Sequence, residues 1–233
     1  MGYCIVAGGK PDMAAPVSKK VFANNTWEEI IAACQTKTVP DTWLVGDQKA
    51  MTINGTDYLI DIIGKNHDDY ADGSGKAPLT FQMHNLYNES RTMNADATNV
   101  GGWTSCLMRS THLPEILNLM PYEVRTSVKE VVKKTSAGNK SSTINTTNDK
   151  LFLLSEIEVV GSSNAHIIGE GSQYEYYMAG NPRIKEPLGL FYFWFLRSPC
   201  ITTDVGFYAV HDDGSITNPG AQNSLGVSFA FCF

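Results

Sequence analysis

The C-terminal quarter of the chain constrains the fold most, because its apolar residues come in short runs separated by turn residues. Residues 190–196 are almost wholly apolar and aromatic, residues 205–210 form a second run, and residues 226–233 form a third. The sequence DDG at 212–214 is typical of a tight turn between strands. The pattern predicts a small antiparallel sheet of short strands, the last of which ends the chain.

A helix is predicted near the beginning of the chain. Thr26 and Glu29 have the spacing of a capping box, in which each residue satisfies a backbone N–H group near the other. The apolar residues within 27–34 repeat at helical spacing, and Val39 and Pro40 are expected to stop the helix.

A β-hairpin is predicted next. Apolar residues alternate with polar ones in 51–53 and again in 58–62. Asn54 and Gly55, between them, favour a two-residue turn with positive φ. The polar, glycine-rich segment 65–78 is expected to be a long loop.

The middle of the chain carries weaker local signals, which still predict two main helices and further strands. We expect a strand within 79–86, a helix capped by Ser110 or Thr111 and continuing to Met120, and a helix from Pro121 to Val131. We also expect a loop at 136–148 that is mobile at its tip, and a buried strand at 151–154 that extends through 160. Helices followed by short strands predict the α+β class. Residues 1–24 are interpreted as an N-terminal arm or linker and residues 25–233 as one domain.

Charge and hydropathy argue against several classes of partner. The net charge of -6 provides no basic footprint for nucleic acid, nor attraction to an anionic membrane surface. No stretch approaches the ~20 apolar residues of a membrane span. Residues 1–9 lack the basic start and long apolar core of a signal peptide.

The cysteines predict neither a zinc site nor a complete set of disulfides. Cys4, Cys34, Cys106, Cys200 and Cys232 are far apart, and an odd number cannot pair fully within one chain. We expect buried free thiols, which pack as small apolar groups.

Catalytic signatures are absent. The chain has no glycine-rich dinucleotide motif, no phosphate-binding loop and no nucleophile elbow, and its histidines do not have metal-ligand spacing. Residues 67–69 (HDD) could bind a cation, although a solvated loop is favoured; Asp212 and Asp213 could help hold calcium, although a turn needs the same residues. Glu156 and Glu158 would share one strand face and could act as acid and base, but a polar face is favoured. No catalytic residue, metal or cofactor is therefore expected.

The aromatic run before residue 197 has two interpretations. Phe191, Phe193 and Phe195 occur at every second position, so they would share one face of a strand. They could form a stacking platform for sugars or bases, or they could be core residues. The spacing leaves both alternatives open.

The amino-acid composition changes sharply toward the C-terminus. Lys, Glu, Gln, Met and Trp together number 41, of which 40 lie in residues 1–198 and one, Gln222, lies in the last 35 residues. A uniform distribution would place about six of them there. Strands and turns disfavour Lys and Glu, but strand preference does not explain the missing Trp.

Several motifs carry a resemblance to a known group of proteins. FWFLRSP at 193–199, the FYAV and DDGSI sequences that follow, and the terminal GVSFAFCF resemble a block found in proteins of gut bacteria and their prophages. Upstream, TWEEIIAACQ, LTFQMHN, GGWTSCLMRSTHLPEIL and KLFLLSEIEVVG are similar to prophage tail-associated proteins. This resemblance covers about residues 22–233. It departs from the family pattern at Phe193, where an aromatic pair with two tryptophans is usual.

The resemblance implies a C-type-lectin-like fold, as in formylglycine-generating enzymes, and a variable protein of a diversity-generating retroelement. Such elements rewrite codons to the form NNY, which cannot encode Lys, Glu, Gln, Met or Trp, so Gln222 would be a fixed position. The implied fixed frame is Trp194, Leu196, Arg197, Pro199, Gly226, Val227, Phe229 and Phe231. The implied ligand-binding region is about 191–223, with the candidates Phe191, Phe193, Phe195, Cys200, Ile201, Thr202, Thr203, Asp204, Val205, Phe207, Tyr208, His211, Asp212, Asp213, Thr217, Asn218 and Asn223.

The function implied is the display of a hypervariable surface that binds a protein or glycan receptor on a cell surface. The resemblance places such a protein in a phage tail or on a bacterial surface, as a homotrimer that residues 1–24 help to assemble. Two alternatives stay open: a tail or baseplate component without a variable site, and an oxidase that uses Cys200 and Cys232.

Overall fold

The computed structural model describes residues 21–161, 169–186 and 193–233, which form an α+β protein, as predicted. These residues contain six α-helices: α1 (Trp27–Gln35), α2 (Gly102–Ser105), α3 (Leu113–Leu119), α4 (Tyr122–Ser127), α5 (Glu156–Val160) and α6 (Glu175–Met178). They contain nine strands: β1 (Gln48–Ile53), β2 (Thr56–Lys65), β3 (Leu79–Met83), β4 (Val131–Ser136), β5 (Ile144–Asp149), β6 (Trp194–Pro199), β7 (Phe207–Val210), β8 (Ile216–Thr217) and β9 (Ala230–Cys232). The strands form three sheets, in the orders β1-β2-β3-β9, β4-β5 and β6-β7-β8.

Helix α1 begins with the predicted capping box. The Thr26 N–H group donates to Glu29 Oε2 at 2.8 Å, and the Glu29 N–H group donates to Thr26 Oγ1 at 3.2 Å. The helix ends at Gln35, earlier than expected, and Lys37 has a φ of 56°. A residue in this left-handed region cannot continue the helix, so the end is set before Val39 is reached.

The first hairpin also forms as predicted. Ile53 pairs with Thr56 across the turn, where Asn54 and Gly55 have φ values of 48° and 79°. These two positive values match a type I′ turn, whose twist suits a hairpin.

The C-terminal strand completes the four-stranded sheet, because β9 pairs with β3 in antiparallel register. Phe81 on β3 lies 5.4 Å, centroid to centroid, from Phe231 on β9 and 6.2 Å from Phe22. Phe22 is 1% exposed. Phe22, the part of the predicted 1–24 arm that packs here, therefore belongs to the core; residues 1–20 lie outside the described residues.

The two central helices differ from the prediction in their limits. Ser110 and Thr111 do not cap a helix, because they lie inside a π-helical turn, Met108–His112, that continues directly into α3. Helix α4 ends at Ser127, and Val131 begins β4. The apolar spacing that predicted one helix through Val131 instead crosses a helix–strand junction.

Two segments differ from the prediction. The expected loop at 136–148 is shorter, because residues 137–143 connect β4 to β5, which pair from Val131↔Asp149 to Ser136↔Ile144. The expected strand at 157–160 is helix α5, with Ser155 and Glu158 forming a second capping box. Phe152 in the preceding segment is buried and makes only an isolated bridge to Ala230.

The C-terminal sheet differs from the prediction, because its third strand is β8 and the final strand of the chain, β9, pairs with β3 in the four-stranded sheet instead. Gly214, in the turn after β7, has a φ of 81°, and Trp194 pairs in parallel with Gly226 beyond the end of β8. In the described ranges, the model contains no helix with the length and apolar character needed to cross a bilayer.

Candidate functional site

Three connections of the C-terminal sheet carry most of the described candidate binding residues. We call them the C-terminal loop surface: residues 200–206 between β6 and β7, residues 211–215 between β7 and β8 at the opposite end of β7, and residues 218–225 before the final strand. Its exposed candidates are Thr202, Asp204, Val205, Asp212, Asp213, Asn218 and Asn223. The half-buried candidates are Ile201, Thr203 and His211 in these loops, together with Phe193 just before β6 and Thr217 on β8.

Four candidates are buried, so the expectation that their side chains are displayed is wrong. Phe195, Cys200 and Phe207 are 0% exposed and Tyr208 is 9% exposed. All six residues of β6 are buried, because α2, β4 and α5 pack against it in addition to its partner strand. Alternation along the strand therefore does not separate a displayed face from a core face. Phe191 lies outside the described residues.

The predicted frame is buried throughout. Its eight members, from the β6 residues to Phe231, all lie in the interior. Trp194 is 0% exposed, and its indole N–H group donates to the Arg183 carbonyl at 3.1 Å. The expectation that these eight residues lie in the interior therefore agrees with the structure.

Asn99, far away in the sequence, holds the first loop in place. Its side-chain amide donates to the carbonyl oxygens of Cys200 (3.0 Å), Thr203 (3.0 Å) and Gly206 (2.8 Å), so two hydrogens are shared among three acceptors. Its backbone N–H group donates to the Asp204 carbonyl at 2.7 Å. Sequence reasoning missed Asn99, because no local pattern marks a residue that binds a loop a hundred positions away.

We predict that Asn99→Ala loosens the 200–206 loop and destabilises the protein by about 1–3 kcal/mol, since buried carbonyls lose their donor. Hydrogen exchange should become faster at the Cys200 and Ala221 amides, which are bonded to Gly206 and Val205 within and beside this loop. Asn223→Ala, an exposed change on the same surface, is the control. Equal exchange rates in the two variants would contradict the assignment.

Cys200 sits beneath this loop in a polar environment. Burial raises the pKa of its thiol, but hydrogen bonds from Thr202 and Asn218 outweigh that effect and lower the pKa to about 6. The Cys232 thiol contacts Thr80 in the four-stranded sheet, and burial raises its pKa. The two thiols thus have different partners, and their pKa values are shifted in opposite directions. Cys34, Cys106, Cys200 and Cys232 are buried and free, as predicted, and Cys4 lies outside the described residues.

The acidic turn after β7 is explained by local structure. Asp213 Oδ1 accepts a hydrogen bond from the Ser215 N–H group at 2.8 Å, which closes the turn. His211 contacts both carboxylates and stacks against Phe193 with ring centroids 3.9 Å apart. Ligand atoms of His211, Asp212 and Asp213 lie within 4.8 Å of one another, but the turn and the ring contact account for this arrangement.

A network of buried charges connects the loop surface to the rest of the fold. Arg197 on β6 is 0% exposed and binds the Glu158 carboxylate with both terminal nitrogens, one of them at 2.8 Å. Lys133 Nζ lies 3.0 Å from Glu158 Oε1 and 2.5 Å from Asp68 Oδ1. The Tyr174 hydroxyl donates to Asp68 Oδ2 at 2.9 Å. Two cations and two carboxylates are therefore matched inside the protein.

This network corrects two expectations. Asp68 is 4% exposed, so it does not belong to a solvated loop, and Glu158 is 2% exposed, so it is not on a polar strand face. Burial alone raises the pKa of Glu158, but Arg197 and Lys133 outweigh it and lower the pKa to about 2. The pKa of Asp68 is also lowered, because the charge of Lys133 overcomes the effect of burial.

These shifts predict a loss of stability in acid. The pKa of Glu158 is about 2 when folded, below its ordinary 4.5, so its stabilising contribution is complete above pH 4.5 and is lost as the pH falls toward 2. Asp68 acts in the same direction, whereas Glu170, whose pKa is raised by burial, acts in the opposite one.

Urea unfolding of the wild type and of Glu158→Gln, measured across this pH range, isolates the contribution of Glu158. The variant should be less stable at neutral pH and should lose less stability on acidification. Parallel pH dependences would show that Glu158 does not carry the effect.

The fold and loop surface define an α+β protein whose C-terminal loops rest on a buried frame. Residues 77–233 match the family described as "Domain of unknown function (DUF6273)". The chain belongs to this family. No curated protein matches the chain. No solved structure matches it either.

Proposed function

We propose that this protein is a ligand-binding display protein rather than an enzyme, and that the C-terminal loop surface binds its receptor. The observation that carries the proposal is the separation of exposed small polar residues in three loops from a frame that is buried throughout. Such a division lets loop side chains change without removing the contacts that stabilise the fold. Small polar residues also supply adaptable hydrogen bonds, as they do in antibody loops.

The exposed apolar groups on this surface support binding to a partner. Val205 is 42% exposed, and Val100 is 55% exposed. They flank the hydrogen bond from Asn99 to Asp204, so they lie close together. Exposed apolar groups surrounded by polar residues are typical of interaction sites. Val100 therefore joins the candidates, although it lies far from the C-terminus.

The proposal includes a C-type-lectin-like fold and diversification by a retroelement. The absence of Lys, Glu, Met and Trp from the last 35 residues is the expected result of rewriting codons to NNY. The receptor is a protein or a glycan on a cell surface, and the protein acts in a phage tail or on a bacterial surface. Assembly as a homotrimer would raise a modest single-site affinity through avidity.

Deep sequencing of the gene and its flanking DNA across a natural population tests this proposal. We expect variable codons at the exposed loop positions, constant codons for the buried frame, and an adenine-rich near-copy beside the gene. Codons 151–185 are the internal control. A uniform 3′ end without such a copy would favour a non-variable structural tail component, and variation equal to that in codons 151–185 would remove the support for diversification.

A protein-level test follows once a receptor has been identified. Asp204→Ala should weaken binding while leaving the melting temperature nearly unchanged, because Asp204 is exposed. Tyr208 is unsuitable as a matched site, since it is buried and its replacement would also lower stability. Unchanged affinity in Asp204→Ala and in similar exposed variants would place the site elsewhere.

A further inference from the structure

A polar groove lies on a part of the surface built by other segments. One cavity of about 470 Å³ and a second of about 480 Å³ share Gln35, Asp72 and Lys129 in their walls. A third, of about 300 Å³, shares Asn148 and Lys150 with the first. Because the cavities share wall residues, they are neighbours on the surface, and we call the three together the groove.

The groove is held open by backbone hydrogen bonds between its walls. The Ala71 N–H group donates to the Glu130 carbonyl at 2.9 Å, and the Val132 N–H group donates to the Asp69 carbonyl at 2.9 Å. The Lys129 N–H group donates to the Cys232 carbonyl, also at 2.9 Å. Three distant segments are thereby joined, so the groove is formed before any ligand arrives.

Most of the groups facing the central cavity can form hydrogen bonds with a polyhydroxylated ligand. Gln35 and Asn148 offer amides, and Thr126 and Ser127 offer hydroxyls. Only Ala71 and Val128 are apolar among the residues lining this cavity. Peptides are usually anchored by apolar side chains in matching pockets, and the central cavity provides little such surface.

The charges favour an anionic ligand. Lys129 and Lys150 line the central cavity, and neither ammonium group makes a hydrogen bond or ion pair within 21–161, 169–186 and 193–233. Lys37 lines the adjoining cavity. Within the central cavity the carboxylates of Asp72 and Glu130 balance the charges of Lys129 and Lys150, and Asp72 already accepts the Ser74 N–H group at 2.9 Å. Lys37 leaves the two adjoining cavities together with one positive charge in excess, in a chain of net charge -6.

We propose that this groove binds an acidic saccharide. Carboxylates of uronate units would pair with Lys129 and Lys150, and ring hydroxyls would bond to the amide and hydroxyl side chains between them. The central cavity uses no residue of the 191–223 region, so the proposal does not depend on receptor binding by the C-terminal loop surface.

Calorimetric titration of the full chain with a galacturonate tetramer tests this inference. The methyl-esterified tetramer is the matched neutral probe. We expect binding of the acid form, weaker binding at high salt, and little binding of the ester. Lys129→Ala combined with Lys150→Ala should weaken binding by about tenfold, because two exposed ion pairs are lost.

Lys134→Ala removes an exposed lysine from β4, away from the groove walls, and should bind like the wild type. Melting temperatures establish that each variant is folded. Failure of the acid tetramer to bind, equal binding of the ester, or equal affinity of the double variant and wild type would each overturn the proposal. Equally tight binding of an oligoglutamate of the same charge would also overturn it, by showing that the groove is a general anion site.

Discussion

Replacement of Arg197 by alanine is expected to destabilise the protein by about 3–5 kcal/mol, because it leaves the buried Glu158 carboxylate without its main partner. Arg197 is 0% exposed, and besides Glu158 it binds the Leu153 carbonyl at 2.9 Å and the Thr135 hydroxyl at 2.9 Å. Its loss would therefore remove the side-chain bonds from β6 to the 151–154 segment and to β4, while the backbone bond from Arg197 to Leu154 would stay. Urea unfolding at neutral pH measures the effect.

Arg91→Ala is the matched control for this prediction. Arg91 pairs with Glu89, whose side chain is 51% exposed, and surface pairs of this kind contribute about 0–1 kcal/mol. A loss in Arg197→Ala no larger than that in Arg91→Ala would contradict a central role for the buried network. The double variant Arg197→Met with Glu158→Gln should lose less stability than the sum of the single losses, because it removes both charges of the pair.

Trp194→Ala is expected to cost about 3–5 kcal/mol, the usual range for removing a large aromatic side chain from a core. The indole is fully buried, and Lys185 Nζ lies 5.7 Å from its ring centroid. Lys185 is itself buried, which lowers its pKa to about 8, and it donates to the His84 carbonyl at 3.4 Å. The substitution would open space beside a buried cation as well as remove apolar contacts.

Thermal or chemical unfolding of Trp194→Ala should be compared with Val205→Ala. Val205 belongs to the C-terminal loop surface and is 42% exposed, so its truncation should change stability by no more than about 0.5 kcal/mol. Trp194→Phe should lie between the two, since it keeps a ring but loses the hydrogen bond to Arg183. Similar losses in Trp194→Ala and Val205→Ala would contradict the division between frame and loop surface.

The Trp194 and Arg197 variants test different parts of the structure that supports the loops. Trp194 reports on apolar packing below the loops, and Arg197 reports on the charges that connect β6 to α5 and β4. Asn99 is a third element, because it fixes the position of one loop rather than the frame. If receptor binding occurs at the loop surface, Asn99→Ala should impair it through a change in loop order, without removing any displayed side chain.

Interactions between residues close in the chain were predictable from the sequence. The capping box of Thr26 and Glu29 involves residues three apart, and the turn at Asn54 and Gly55 depends on the φ values that those two residues tolerate. The capping box at Ser155 and Glu158 has the same spacing, but the apolar residues around it favoured a strand instead. The capping-box spacing at Ser155 and Glu158 indicated the helix, but the strand prediction from the surrounding apolar residues, a less specific pattern, was preferred.

The sequence by itself determined the α+β class and the first helix and hairpin, because these follow from the periodicity and turn preferences of neighbouring residues. The burial of the C-terminal frame was expected from the family resemblance. Only the tertiary structure decided which candidate residues reach the surface. Phe195 is covered by elements from distant parts of the chain, and Asp68 meets Lys133 only when the sheets assemble. No local pattern predicts that both faces of a strand are buried, or that buried charges neutralise one another. Both depend on packing between segments that are far apart in the sequence.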